Sequence, residues 1–292
     1  MAPALIPVLL LVSGTIWGLT PALAKTGMGL GVPPLGIAFW VALGSGLILL
    51  TITWQRGERL ALDGQHLRYY LAAGITGSTL SNITAYNALQ HVPAGFLALL
   101  VPLSAMMTVL GAAALRMERL SARSVGGTAL GFAGVALAMA PGAALPDASL
   151  IGWALLAALT PVCYAASNLV AARLAPPGAK PLPVAAGTLL AAAGPTLAAG
   201  FLFGHTHLPF EAGWRAELVL LGLAALGALA YVTYFRLIVA AGPVVTSQVG
   251  YIVTLAGVTW GWLLHGEQPG MLTLPAAALI FAGLWLVSRR RR

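Results

Sequence analysis

The sequence specifies an all-α integral membrane protein, with ten transmembrane helices arranged as two inverted five-helix repeats. Three observations lead to that reading. Of 292 residues, 59% are hydrophobic and 8% charged, and the mean hydropathy is +0.91, a composition suited to hydrocarbon. Apolar runs of roughly 17 to 23 residues recur end to end, each long enough as a helix to cross a core about 30 Å thick. They are too continuous for the alternating strands of a barrel. The third observation is an internal repeat.

Tyr86 to Arg119, YNALQHVPAGFLALLVPLSAMMTVLGAAALRMER, returns in blurred form as Phe235 to Gln268, FRLIVAAGPVVTSQVGYIVTLAGVTWGWLLHGEQ. Setting Glu118 over Glu267 gives an offset of 267 − 118 = 149, which places Tyr86 over Phe235, Pro93 over Gly242 and Ala94 over Pro243. In each copy an aromatic residue near a helix end passes through a Pro/Gly turn into a long apolar helix closed by a glutamate. Such self-similarity is the first thing to seek in a chain.

The spans read, in order, as 4–24, 34–54, 69–90, 95–115, 124–140, 150–172, 184–203, 217–239, 244–264 and 272–288. The first ends in Ala22-Leu23-Ala24 before Lys25, which looks like a signal cleavage site. No lysine or arginine precedes its apolar stretch, so a permanent helix is expected. It also resembles the sixth, with Ser13 to Lys25 answering Thr160 to Arg173 and Trp17 near Tyr164. Residues 1–140 form the first repeat and 150–292 the second. Between them, 141–149 is a linker with two prolines and an aspartate. Five spans per unit make the second copy enter the membrane from the opposite side. That is a transporter signature, with a substrate site expected near the midplane where the repeats meet.

The placement of the cations matters more than their sum of +8. With the N-terminus on one side, that side holds Arg56, Arg59, Arg68, Arg116, Arg119, Arg123, Arg173, Lys180 and Arg289 to Arg292, twelve in all. The other holds Lys25 and Arg215, and Arg236 lies inside a span. Positive loops stay inside, so both termini are expected in the cytoplasm, with the Arg289 to Arg292 tail meeting anionic lipid. Lipid, and not nucleic acid, is the partner this charge serves.

These residues resemble a known family. Trp17-Gly18, the turn after His91, the glutamates Glu118 and Glu267 that close the fourth and ninth helices, and the glycine-rich fifth and tenth helices are similar to the ten-helix EamA-type branch of the drug/metabolite transporter superfamily. The resemblance implies a secondary exporter of amino acids and other small metabolites from the bacterial cytoplasm. Exporters of aromatic amino acids are among its members.

Polar and aromatic side chains at i, i+4 and i+7 share one helix face, which in an apolar span points away from lipid. Helix one offers Ser13, Trp17 and Thr20. Helix three offers Ser78, Asn82 and Tyr86, helix six Tyr164 and Asn168, helix eight Gly227, Tyr231 and Tyr234, and helix nine Gln248 and Tyr251. The pathway is expected to run along Trp17, Ser78, Asn82, Tyr86, Tyr164, Asn168, Tyr231, Tyr234, Gln248 and Tyr251. The plainer alternative is hydroxyls and amides bonding neighbouring helices, with end tyrosines in the interfacial belt. Pro21, Pro102, Pro161 and Pro195 interrupt spans, and each leaves a carbonyl without its helical donor. Pro102 and Pro161 are candidate hinges or carbonyl ligands for an ammonium group, with a packing kink as the alternative. Gly126, Gly127, Gly131 and Gly134 on helix five, and Ala278, Ala282 and Gly283 on helix ten, have the spacing that lets helices approach closely. Those two helices read as scaffold, and pairing between protomers is allowed but not required.

Several functions are disfavoured. All seven acids, Glu58, Asp63, Glu118, Asp147, Glu211, Glu217 and Glu267, fall in loops or at span edges. Proton antiport commonly uses an intramembrane acid, so facilitated export down a gradient is expected. Phosphorylated substrates ask for cations in the pathway, yet Lys25 and Arg236 lie near span ends, where snorkelling accounts for them. A ring-rich, amide-bearing lining suits neutral or zwitterionic solutes, first an aromatic or bulky apolar amino acid, then lipophilic drugs or purine-like metabolites. No enzyme activity or cofactor is expected, because the histidines lie in loops or at interfaces, without a nucleophile at equal depth. His205 and His207 lack a third ligand for a metal and read as solvated loop residues. The single cysteine, Cys163, cannot form an internal disulfide. A receptor that binds without flux is the remaining rival.

Overall fold

The computed structural model describes residues 5–140, 143–145, 147–246 and 248–288. Arg289 to Arg292, and with them the anionic-lipid anchor, lie outside the described residues, as do residues 141, 142 and 146 of the linker. Ten helical passes are present among the described residues. In chain order they are α1 (Leu5–Gly29), α2 (Pro34–Gln55), α3 (64–89), α4 (Ala94–Ala114), α5 (Ala122–Ala138), α6 (Ile151–Leu174), α7 (Pro181–Phe203), α8 (Trp214–Gly242), α9 (Val249–His265) and α10 (Thr273–Ser288).

Local chemistry sets most of the ends. Proline at the first helical position opens α2 and α7, where its missing N–H costs nothing. Asp63 caps α3 by accepting from the amides of Gln65 (3.0 Å) and His66 (3.1 Å). Ser121 caps α5 through the Ser124 amide at 3.1 Å. One feature inside the spans is not legible from composition. A π-helical turn, Ile75–Leu80, interrupts α3. Helix α8 ends at Gly242, whose φ of 75° only glycine adopts freely, and a short helical turn to Thr246 follows before α9, at the Pro/Gly turn the repeat places there.

Apolar side chains cover the outside as well as the inside. Leu202 is 83% exposed and Val239 80%, as befits helices that face lipid. Packing between helices follows the repeat. α1 packs on α8 and α9 as α6 packs on α3 and α4, while α2 pairs with α7 and α5 with its own counterpart α10. In the last pair the backbones nearly touch. A Cβ on Gly127 would lie 2.7 Å from the Gly283 carbonyl, and one on Gly134 2.8 Å from that of Ala276. The small residues of α5 and α10 thus hold a scaffold pair. Gly126, with nothing within 4 Å, takes no part.

Elsewhere hydroxyls tie the two halves inside the hydrocarbon layer, where any donor must find a protein partner. Thr79 meets Thr196 at 2.9 Å, Thr84 meets Thr160 at 2.9 Å, and Ser45 donates to the Ala224 carbonyl at 2.8 Å.

Candidate functional site

Where α1 and α6 cross α3 and α8, the structure gathers rings from both repeats. Trp17 on α1 lies 4.9 Å from Tyr234 and 5.9 Å from Tyr231, the latter edge-on at 86°. Tyr231, Tyr234 and Phe235 share a face of α8 because they stand three and four residues apart, and both tyrosines contact Phe235. One turn below Trp17, the buried Ser13 hydroxyl donates to Thr233 at 2.8 Å, which fixes α1 against α8. From the other repeat, Tyr164 on α6 lies beside Ser81 on α3. It lies within electrostatic reach of both Tyr86 and Tyr231. Tyr86 is buried, whereas Trp17, Tyr164, Tyr231 and Tyr234 are half-buried.

The remaining expected residues sit apart from that cluster or beside it. Asn82 donates to Ser78 at 3.4 Å on α3. Asn168 is exposed on α6 and donates to Thr108 of α4 at 3.1 Å. Gln248 is exposed between α8 and α9. Tyr251 turns toward the scaffold, packing on Phe281 at 5.0 Å and donating to its carbonyl at 3.5 Å. Pro161 is buried within an unbroken α6. Pro102 does break its helix, between Leu100 and Leu103. The Ala98 carbonyl, which loses its donor four residues on, accepts from the Val101 amide at 3.3 Å and from the Thr254 hydroxyl of α9 at 3.2 Å, so the neighbouring helix supplements a tightened turn.

Sequence reasoning missed a polar cluster at the end of the molecule that carries Lys25. Lys25 is no solitary snorkelling residue. Its ammonium lies 2.7 Å from Glu267 Oε1 and donates to the Val92 carbonyl at 3.4 Å. The same carboxylate accepts from the first amides of α4, Ala94 at 2.8 Å and Gly95 at 3.1 Å, the place where a helix best receives negative charge. Burial acts to raise the Glu267 pKa, but the Lys25 hydrogen bond and the two amides outweigh it and hold the carboxyl below its ordinary value. Glu267 Oε2 fills the space above Gly261, where a side chain would collide with it. Nearby, His265 reaches the Ala22 carbonyl at 2.8 Å. A cavity of about 320 Å³ adjoins the cluster, lined in part by His91, Phe96, Leu99 and Val258. The one available signal was the repeat, which had marked Glu267 as the residue that closes a helix.

The seven acids lie in loops, caps or first helical turns. His207, expected as a solvated loop residue, is instead buried. Its Nε2 is 3.0 Å from Glu217 Oε1, and its carbonyl accepts from Trp40 Nε1 at 3.0 Å. That folds the α7–α8 loop onto α2. Among the described residues no group of three or more His, Cys, Asp or Glu is placed to hold a metal.

A family model for the EamA-like transporter family matches residues 5–140 and again 151–289. The chain belongs to the EamA-like transporter family. As an EamA-like transporter it is a multi-pass membrane protein that moves small metabolites, and its two family units are the two five-helix repeats. No curated protein matches it. A solved chain described as "Crystal structure of protein" has 22% sequence identity and a TM-score of 0.64. The alignment covers 97% of this EamA-like chain and 96% of that one, a likeness of fold alone.

Proposed function

We propose that the chain exports small neutral or zwitterionic solutes, aromatic or bulky apolar amino acids foremost, by facilitated diffusion or alternating access between its two repeats. The observation that carries this reading is the cluster of Trp17, Tyr86, Tyr164, Tyr231 and Tyr234. It draws on four helices and both repeats and contains no lysine, arginine or carboxylate. Ring faces offer area and stacking to an apolar or aromatic body, and hydroxyls orient its polar end. Ser78 and Asn82, two turns and one turn before Tyr86 on α3, extend that lining. Asn168, Gln248 and Tyr251 complete the proposed route, with Pro102 and Pro161 as its hinges. Placement of all seven acids at helix ends favours movement down the solute gradient over proton antiport. The arginine-rich loops favour a bacterial inner membrane with both termini in the cytoplasm.

The test is counterflow in proteoliposomes against a panel of amino acids, nucleobases and cationic dyes, run with and without a pH gradient. Exchange of aromatic amino acids that ignores the pH gradient is the expected result. Exchange of dyes or nucleobases alone would move the substrate class to drugs or purine-like metabolites, and binding without exchange would make the protein a receptor.

A further inference from the structure

The repeat predicts that α4 and α9 should meet alike at both ends of the molecule, and they do not. At the Lys25 end the two helices interlock. A Cβ on Gly95 would lie 3.1 Å from Val258 Cα, a Cβ on Gly257 would strike Ala98, and Thr254 donates to the Ala98 carbonyl. Residues Ala94–Leu100 are all buried there. Among the described residues α9 makes no comparable contact with Leu103–Ala114, the other half of α4, which packs on α6, α5 and α10. An inverted pair that is closed at one end and not at the other occupies one of two related arrangements.

The Lys25–Glu267 cluster sits over the closed end and joins three elements from both repeats: the end of α1, the start of α4 and the loop after α9. Its side chains are 28% and 14% exposed, so parting them returns each charge to water and strands neither in hydrocarbon. That makes the tie reversible where a buried pair would not be. We propose that Lys25 and Glu267 form a gate tie at this face, whose separation from each other and from the α4 N-terminus lets α4 and α9 part for the solute. This rests on the transport reading above, and it adds which residues govern passage and at which end.

A labelling test needs no solute. Val253, 4% exposed, belongs to the apolar group around Trp17 and Tyr234. With Cys163→Ala and Val253→Cys, a membrane-impermeant maleimide is applied at the Lys25 face of sealed, orientation-sorted proteoliposomes. Glu267→Gln and Lys25→Met are each expected to raise the labelling rate about tenfold, the equivalent of one charge-assisted hydrogen bond. Rates unchanged in both variants would overturn the proposal.

A second variant leaves the tie intact. A Cβ on Gly95 would stand 3.7 Å from Val258 Cβ, within the disulfide range of about 3.5–4.5 Å. Oxidising Gly95→Cys/Val258→Cys should stop both labelling and flux, and reductant should restore them. Full flux in the oxidised pair would equally sink the gate. If no solute in the panel moves, the transport reading fails by itself while the labelling result still decides the tie.

Discussion

Thr254 on α9 donates its hydroxyl to the Ala98 carbonyl, which lacks the amide that Pro102 cannot supply and otherwise accepts, among the described residues, only from Val101 at 3.3 Å. A break in one repeat is thereby partly satisfied by the other repeat, which joins α4 to α9 at the depth where Gly257 and Ala98 touch. Both partners are buried, Thr254 at 1% exposure and Ala98 at 0%.

Thr254→Val removes this donor at nearly constant volume. The Val101 amide still donates to this carbonyl, so the cost falls below the ~1–3 kcal/mol of a fully unsatisfied buried group, and interhelical bonds in membranes average about 0.6 kcal/mol because the unfolded state also finds partners. The expected loss is somewhat below about 1 kcal/mol, read as a lower denaturation midpoint in detergent, and Thr254→Ser should restore it. A midpoint equal to wild type in the valine variant would show that the broken turn satisfies itself.

Trp17→Ala removes two ring contacts at once, those to Tyr231 and Tyr234. Each is worth about 0.5–1.5 kcal/mol beyond its area. If a solute ring engages the same surface, counterflow of aromatic amino acids should weaken about tenfold, mostly through apparent affinity. Phe132→Ala, which removes an exposed ring of the scaffold helix α5, should change it little. Equal effects from both substitutions would place the solute elsewhere.

The ten passes were legible because continuous apolarity is the strongest signal a membrane chain carries, and the repeat made α6 the counterpart of α1 and α8 that of α3. The π turn of α3 was not, since Ile75–Leu80 has the composition of any helical turn. Gly242, which the repeat sets over Pro93, breaks the helical run between α8 and α9, because a positive φ at a glycine ends a helix whatever its apolar flanks. Spacing alone brought Tyr231 and Tyr234 onto one face. It could not say that Tyr251 would turn to Phe281, because α9 is apolar on every side. Lys25 and Glu267 stand 242 residues apart, and no local pattern joins residues at that distance.

Gly127 and Gly126 are neighbours on α5 with opposite expectations. Alanine at 127 drives a methyl to 2.7 Å from the Gly283 carbonyl, backbone that cannot step aside, so the scaffold pair should lose about 1–3 kcal/mol. Alanine at 126 meets nothing within 4 Å and should stabilise the helix by about 0.5–1 kcal/mol. Thermal midpoints in detergent measure both, and a loss at 126 equal to that at 127 would put a partner surface on the outer face of α5.

Acid should loosen the Lys25 end. Glu267 has its pKa depressed below the ordinary value of 4.5: burial opposes the shift, and the Lys25 hydrogen bond with the Ala94 and Gly95 amides overcomes it. A depressed folded pKa means the ionised carboxylate stabilises the fold fully above 4.5, and the contribution is lost as pH falls from there through the folded value. Asp63 and Asp147, held below their ordinary values chiefly by the backbone amides of His66 and Ser149 respectively, lose stability in the same direction. The informative quantity is therefore the difference between wild type and Glu267→Gln, in which both aspartates remain. The wild-type midpoint should exceed that of the variant at neutral pH and converge on it in acid. A gap that stays constant down to about pH 3 would mean that the carboxylate contributes through shape and not charge.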